Sequence, residues 1–154
     1  MKWDIEERTE DAIVAYLRYA AGSDLRVSAA WERAEMQYPA VVVHAGTSGP
    51  VSEDAQWHDP REIEVEVAVI TEAAPTLDSN NAVLATARER NALARSSVMD
   101  ALFTTDLLTN LNAQGVESVA FSMAQFATTA RTSEGRNLVT TISGTVIAEP
   151  VTGS

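Results

Sequence analysis

The sequence lacks cysteine and has almost no lysine. None of the 154 residues is a cysteine, which excludes disulfide bonds, thiolate nucleophiles and zinc sites built from thiolates. Lys2 is the only lysine, so ten of the eleven cationic side chains are arginines. A phosphate-binding loop and Schiff-base chemistry each require a lysine at a defined place, and the sequence therefore argues against both.

Long apolar runs are also missing. No segment approaches the roughly 20 apolar residues that a membrane-spanning helix requires. The N-terminal stretch MKWDIEERTED is too acidic and too poor in apolar residues for a signal peptide. We therefore expect a soluble protein that is made in the cytoplasm, and its length fits a single domain covering residues 1–154.

Positive charge of any kind is scarce. The chain has 22 acidic and 11 basic residues, for a net charge of −11. Proteins that bind nucleic acid or anionic membranes use a cationic surface to contact phosphates. The charge balance therefore disfavours both of these classes.

The clearest pattern in the sequence is the alternation from Arg61 to Glu72, REIEVEVAVITE. Apolar β-branched residues occupy one parity and glutamates occupy much of the other. This period of two is typical of a β-strand with one face on a core and one toward solvent. The alternation predicts that Ile63, Val65, Val67 and Val69 are core residues.

The other segments supply partners for this strand. An apolar stripe at helical spacing predicts a helix over about Asp4–Ala21, with Glu6, Glu10 and Arg18 on its outer face. A second helix is predicted from Ala82 to a break near Phe103, capped by Ser79 or Asn80 and followed by a short helical segment at Asp106–Asn112. Strands are predicted at Leu25–Ala29, Ala40–Ala45, Val116–Met123 with a continuation to Arg131, and Asn137–Glu149, with a turn at Ser133–Arg136.

This order of elements predicts an α+β fold. We expect a mostly antiparallel sheet with two main helices packed on one face, in the order α-β-β-β-α-β-β. Residues 46–60 are expected to form a long hairpin arm before the alternating strand, and residues 150–154 a frayed tail. Gly144 inside the last strand indicates a bulge or a close backbone approach.

Catalytic chemistry is not indicated. His44 and His58 are the only histidines, and His58 followed by Asp59 resembles a base beside the residue that orients it. A catalytic triad also needs a positioned nucleophile, and no G-x-S-x-G motif or comparable motif is present. We therefore expect no enzyme and no catalytic residue.

The alternating glutamates could in principle bind a hard cation. Side chains two apart on a strand lie about 7 Å from each other, which is wide for one small ion. The pattern favours a solvated or subunit-contact face at Glu62, Glu64 and Glu66 over a metal site. We expect neither a metal nor a cofactor.

Arginines on the second helix are the better candidates for contacts. Arg88, Arg90 and Arg95 are interspersed with Glu89, which favours pairing with carboxylates of the same or a neighbouring subunit over binding to nucleic acid. The long arm adds Trp57, an unlikely side chain to remain in water. The candidate subunit-interface residues are Trp57, His58, Arg61, Arg88 and Arg95.

Several segments together resemble one family. The N-terminal helix, YPAVVVHA, EIEVEVAVITEA, MDALFTTDLLTNLNAQG and EGRNLVTTISGTVIAEP are similar to small neck and tail-completion proteins of tailed bacteriophages, above all the tail-terminator type. The resemblance extends over nearly the whole chain and rests on the order of the elements and on the character of the local sequence. It implies an α+β protomer and a hexameric ring that caps the tail tube and joins it to the head.

The same resemblance implies partners and a location. The partners are further copies of the chain, tail-tube proteins and head-completion proteins, and the location is the neck of the virion after synthesis in the host cytoplasm. DNA is expected only as cargo that passes through the ring. Carboxylates on the inner surface would repel it, with Arg88 and Arg95 turned toward subunit contacts.

Two other classes of function remain as alternatives. A small α+β enzyme would need a pocket with converging ionisable groups, which the sequence does not indicate. A small acidic protein-binding module, of the toxin-partner or inhibitor type, would fit the net charge. Subunit count separates these classes, because a ring protein forms hexamers and an inhibitor binds a basic partner one to one.

Overall fold

The computed structural model describes residues 5–22, 24–30, 37–51 and 60–151. Three helices and seven strands follow one another in these ranges. They are α1 (Ile5–Ala20), β1 (Arg26–Ala29), β2 (Ala40–Pro50), β3 (Arg61–Glu72), β4 (Thr76–Leu77), β5 (Val83–Ala85), α2 (Ala87–Leu102), α3 (Leu107–Gln114), β6 (Val119–Glu134) and β7 (Asn137–Pro150). The predicted α+β fold is confirmed.

Five strands form the main sheet, in the order β1-β2-β3-β7-β6. Only β1 runs parallel to its neighbour, β2, and the other neighbours are antiparallel. β3 lies at the centre, has the predicted bounds Arg61–Glu72, and pairs along its whole length with β7. β4 and β5 form a separate two-stranded hairpin.

The helices cover one face of this sheet. Ile63, Val65, Val67 and Val69 are fully buried and belong to the same core cluster as residues from all three helices, which confirms the predicted parity of β3. Burying a valine side chain stabilises the fold by about 1.5–3 kcal/mol. Tyr16 of α1 also donates a 2.5 Å hydrogen bond to the carbonyl of Ala101, which ties α1 to the end of α2.

A buried polar network holds α2 on the sheet. The amide nitrogen of Asn91 donates to Thr71 Oγ1 at 3.0 Å and to the carbonyl of Leu138 at 3.2 Å. Its amide oxygen accepts from Thr140 Oγ1 at 2.8 Å. Asn91 interrupts the apolar stripe of α2 in the sequence, and the network explains why: β3 and β7 present polar groups there that need partners.

The predicted start of the second helix is wrong. α2 begins at Ala87, where Thr86 Oγ1 accepts from the amide of Glu89 at 3.1 Å and donates to the Glu89 carboxylate. Thr86 is thus the N-cap of α2, and its side chain satisfies a backbone amide of the first turn. Ser79 and Asn80 instead lie in a turn held by Asp78, whose Oδ1 accepts from the amides of Asn80 and Ala82, each at 2.8 Å. The predicted break is confirmed, since α2 ends at Leu102 and Phe103 is its C-cap.

The hairpin arm predicted at residues 46–60 is shorter than expected. β2 continues beyond Ala45 to Pro50, and its residues from Thr47 onward pair with Arg61–Glu64 of β3. Glycine, serine and proline made this stretch read as a loop, but a bulge at Gly46 lets the pairing resume. Pro50 is tolerated because it closes the strand. Residues 52–59 of the arm lie outside the described residues.

In the part of the chain that the structure describes, no helix is both long and apolar enough to span a membrane.

Candidate functional site

The sheet has a second face, which we call the open face, on the side away from the helices. The open face contains the even-numbered residues of β3 from Glu62 to Glu72, together with the residues that are paired with them on β2 and β7. Glu62, Glu64 and Glu66 are all exposed there. None of the three has a hydrogen bond or an ion pair with a described residue. The open face therefore presents a row of unpaired carboxylates.

The register places further carboxylates on the same face. Glu134 is paired with Asn137, which is paired with Glu72, so all three lie on the open face. Glu149 directly follows Ala148, whose side chain is on the core face, so Glu149 also points to the open face. Arg26 is paired with Ala40 on this face of the β1–β2 pair and is the single arginine that the register puts there among the described residues. The open face is therefore strongly acidic.

The arginines that were predicted as contacts lie elsewhere. Arg88 and Arg95 are on α2, on the helical side of the sheet, where Arg88 is exposed and Arg95 is half-buried. Neither forms a hydrogen bond or an ion pair with any residue in the described ranges. Their guanidinium groups are therefore not used in a contact among the described residues, and their role at a subunit interface stays a prediction.

Arg61 has a different environment. It opens β3 and is half-buried, and its Nε and Nη2 donate to Ser48 Oγ at 3.4 and 3.3 Å. Ser48 Oγ in turn donates to the carboxylate of Glu6 on α1. Arg61 therefore takes part in a contact within the subunit, between β2, β3 and α1. Trp57 and His58, the two remaining candidates, lie outside the described residues.

The sequence analysis missed the role of Glu10, which it placed on the outer face of the first helix. Glu10 is only 3% exposed, and its Oε2 accepts from the amide of Ala45 at 2.8 Å. β1 ends at Ala29, opposite Val43, so this amide lies on a part of the β2 edge that β1 does not cover. Oε2 also lies 3.4 Å from Nδ1 of His44. Glu10 thus satisfies a backbone amide at the edge of β2.

Burial sets the protonation behaviour of Glu10. Removal from water raises the pKa of its carboxyl above the ordinary value, while the Ala45 amide and the neighbouring His44 act in the opposite direction. Asp11 and Glu7 on the same helix raise the pKa further. The ionised form of Glu10 is therefore less favourable in the folded chain than in the unfolded chain.

Two more side chains form hydrogen bonds with backbone groups at the edges of the sheet. Arg18, also expected on the outer face of α1, donates from Nε and Nη2 to the carbonyl of Val27 on β1, at 3.1 and 2.8 Å. Asn112 of α3 pairs with both backbone groups of Phe121 on β6, each at 2.9 Å. Such contacts block the addition of a further strand. No local sequence pattern marks these three residues, because the backbone groups they satisfy are distant in the chain.

We expect the stability of a Glu10→Gln variant to increase, relative to that of the wild type, as pH rises from 3 to 7. Because the folded pKa of Glu10 is raised, its ionisation destabilises the fold progressively as pH rises from the unfolded pKa through the folded one. Glutamine retains an acceptor for the Ala45 amide without the charge. The variant is therefore expected to match the wild type at pH 3 and to equal or exceed it at pH 7, measured by urea unfolding across this range.

The matched controls are Glu10→Ala and Glu117→Gln. Alanine leaves the Ala45 amide without its acceptor and is expected to cost about 1–3 kcal/mol. Glu117 is exposed, so Glu117→Gln removes one charge at the surface and separates that effect from the loss of a buried carboxyl. A Glu10→Gln variant that loses stability as pH rises, relative to the wild type, would contradict the sign derived from burial.

A groove of about 400 Å³ lies between α1, α2 and the start of β2, lined by Leu25, Pro39 and Leu93 and bordered by Asp24 and Arg90. Within the described ranges, no group of three or more His, Asp or Glu side chains is placed to hold a metal ion. The groups that stand out are instead the carboxylates of the open face and the arginines of α2.

Comparison with known proteins adds no relative. No protein-family model matches the chain, and no curated protein has a significantly similar sequence. The surfaces of the chain itself are therefore the basis for a functional proposal.

Proposed function

We propose that the protein is a structural subunit of the bacteriophage head–tail junction. In this role, copies of the chain assemble into a ring, with six subunits, that caps the tail tube and joins it to the head. The observation that carries the proposal is the open face of the sheet. A folded subunit that presents one ordered, charged sheet face without a covering layer in its described residues is suited to assembly.

Exposed apolar side chains support a role in assembly. Val83 and Leu84 on the β4–β5 hairpin are 57% and 64% exposed, and Leu93 on α2 is 70% exposed. Leu77 on the same hairpin is also exposed. Asp78 holds the turn of this hairpin, so the apolar side chains are presented by a defined structure. Val83 is paired with Leu77 across this hairpin, and adjoining exposed apolar side chains mark contact surfaces in proteins.

The charge of the chain suits a ring through which DNA passes. A net charge of −11 leaves few cations to exchange for the counterions of the duplex, so the ring would not hold its cargo. DNA is thus a passing molecule in this proposal, and tail-tube and head-completion proteins are the stable partners.

The proposal is tested by the size of the purified protein. We expect particles of about six subunits in light scattering coupled to gel filtration, and rings with a central hole in negative-stain electron microscopy. Addition of tail tubes is expected to place a ring at the tube end. A chain that stays monomeric and binds a basic protein one to one would instead favour the acidic inhibitor module.

A further inference from the structure

Two arginines lie on the same side of α2. Arg88 and Arg95 are seven residues apart, so they lie on one side of the helix about 10.5 Å apart along its axis. Neither has a partner among the described residues. In a chain with a net charge of −11, two cations on one helix without carboxylate partners are a notable surplus of local positive charge.

The open face carries the complementary surface. Glu62, Glu64 and Glu66 are exposed and have no partner in the described part of the chain. Successive side chains on one face of a strand are about 6.6–6.8 Å apart, so the three carboxylates span about 13 Å. Two guanidinium groups about 10.5 Å apart fit within this span.

We propose that Arg88 and Arg95 of one copy dock on Glu62, Glu64 and Glu66 of the next copy. The two surfaces lie on opposite sides of the subunit, because α2 covers one face of the sheet and the glutamates occupy the other. A contact between different surfaces of identical subunits is heterologous and generates a ring when it closes. This inference rests on the proposed ring and assigns its subunit contact.

Each surface also has an apolar side chain at one end. Phe103, the C-cap of α2, is 43% exposed and follows Arg95 by about 12 Å along the helix. On the open face, Ile147 is paired with Glu62 and with Met123 of β6, and both apolar residues are half-buried. Exposed ion pairs alone contribute little to binding, so contact of these apolar side chains with the facing copy would add to the stability of the contact.

The contact assigns Glu62, Glu64 and Glu66 to subunit pairing, which is one of the two roles that the sequence favoured for them, and not to the inner surface of the ring. Reversal of these charges distinguishes a subunit contact from an inner wall of the ring. At a contact, reversal breaks the ring, since like charges face each other. On an inner wall, reversal leaves the ring intact and makes it bind DNA.

The test is a charge exchange. Arg88→Glu with Arg95→Glu, and separately Glu64→Arg with Glu66→Arg, are each expected to raise the concentration for half-assembly about tenfold or more. The combination of all four substitutions is expected to restore assembly. Light scattering measures assembly, circular dichroism verifies the fold, and a filter assay at low salt measures DNA binding. Glu64→Gln with Glu66→Gln provides a milder variant with an expected smaller loss, should the arginine pair prevent folding.

The control for the arginine variant is Arg131→Glu with Arg136→Glu, which makes the same change in net charge at two exposed sites of the β6–β7 hairpin. We expect it to assemble as the wild type does. Reversed variants that assemble equally well, or a fourfold variant that stays dissociated, would overturn the contact. Intact rings that gain DNA binding would overturn it too and place the glutamates on the inner wall. A wild-type chain that forms no ring under any condition would overturn the proposed function as well.

Discussion

Replacement of Val67 by aspartate is expected to unfold the protein. Val67 is fully buried at the centre of β3, between Val43 of β2 and Ile142 of β7, which are also fully buried. A carboxylate at this position would have no partner and would lose its hydration. The expected cost is about 4 kcal/mol or more, a large part of the stability of a typical domain. Urea unfolding and circular dichroism measure the effect.

The same substitution at Val151 is the control. Val151 follows β7 and is 43% exposed, so Val151→Asp is expected to change the free energy of unfolding by no more than about 0.5 kcal/mol. A Val67→Asp variant as stable as the wild type would show that the parity of β3 is inverted. Equal losses in both variants would mean that any added carboxylate destabilises this acidic chain.

Substitution of Gly144 by alanine is the second large expected effect. A Cβ atom there would lie 2.5 Å from the carbonyl oxygen of Gln125, 2.6 Å from Cδ1 of Phe126 and 2.7 Å from its Cα. Two of these atoms belong to the backbone of β6, so relief requires the strands to separate. We expect a loss of about 2–4 kcal/mol, and a larger loss for valine, measured by thermal and urea unfolding.

Gly49 provides the comparison for this substitution. A Cβ at Gly49 meets no atom within 4 Å, and Gly49→Ala is expected to be neutral or slightly stabilising, because alanine has fewer unfolded conformations to lose. If Gly144→Ala is tolerated as well as Gly49→Ala, then β6 and β7 do not approach each other as closely at this point as described.

The sequence predicted what depends on local periodicity. Alternation identified β3 with its full bounds and its buried parity, and the helical stripe identified α1. The interrupting Asn91 and the Gly144 inside a strand were visible as exceptions, although their meanings depend on β3, β7 and β6. The composition of residues 46–50 indicated a loop, and this prediction was wrong. Pairing with β3 satisfies the backbone hydrogen bonds of this segment although its residues have low strand propensity.

The candidate site was predictable in its residue types and not in its arrangement. Glu62, Glu64 and Glu66 were expected on one solvent-side face, and the structure places them there. Whether Arg88 lies near those carboxylates or on the opposite side depends on where α2 packs. Glu10 shows the limit most clearly: its helical position indicates an exposed side chain, yet it binds a backbone amide 35 residues further along the chain.

The pairing of β3 with β7 has a consequence for synthesis of the protein. β2 and β3 form a hairpin early in the chain, but the other edge of β3 stays empty until β7, the last strand of the sheet, has been made. At ordinary rates of translation, the interval between the two strands is on the order of 10 s. During that time an apolar strand with an open edge is exposed to other nascent chains. Any truncated product that ends before Asn137 would keep this edge open permanently and become a substrate for chaperones and proteases.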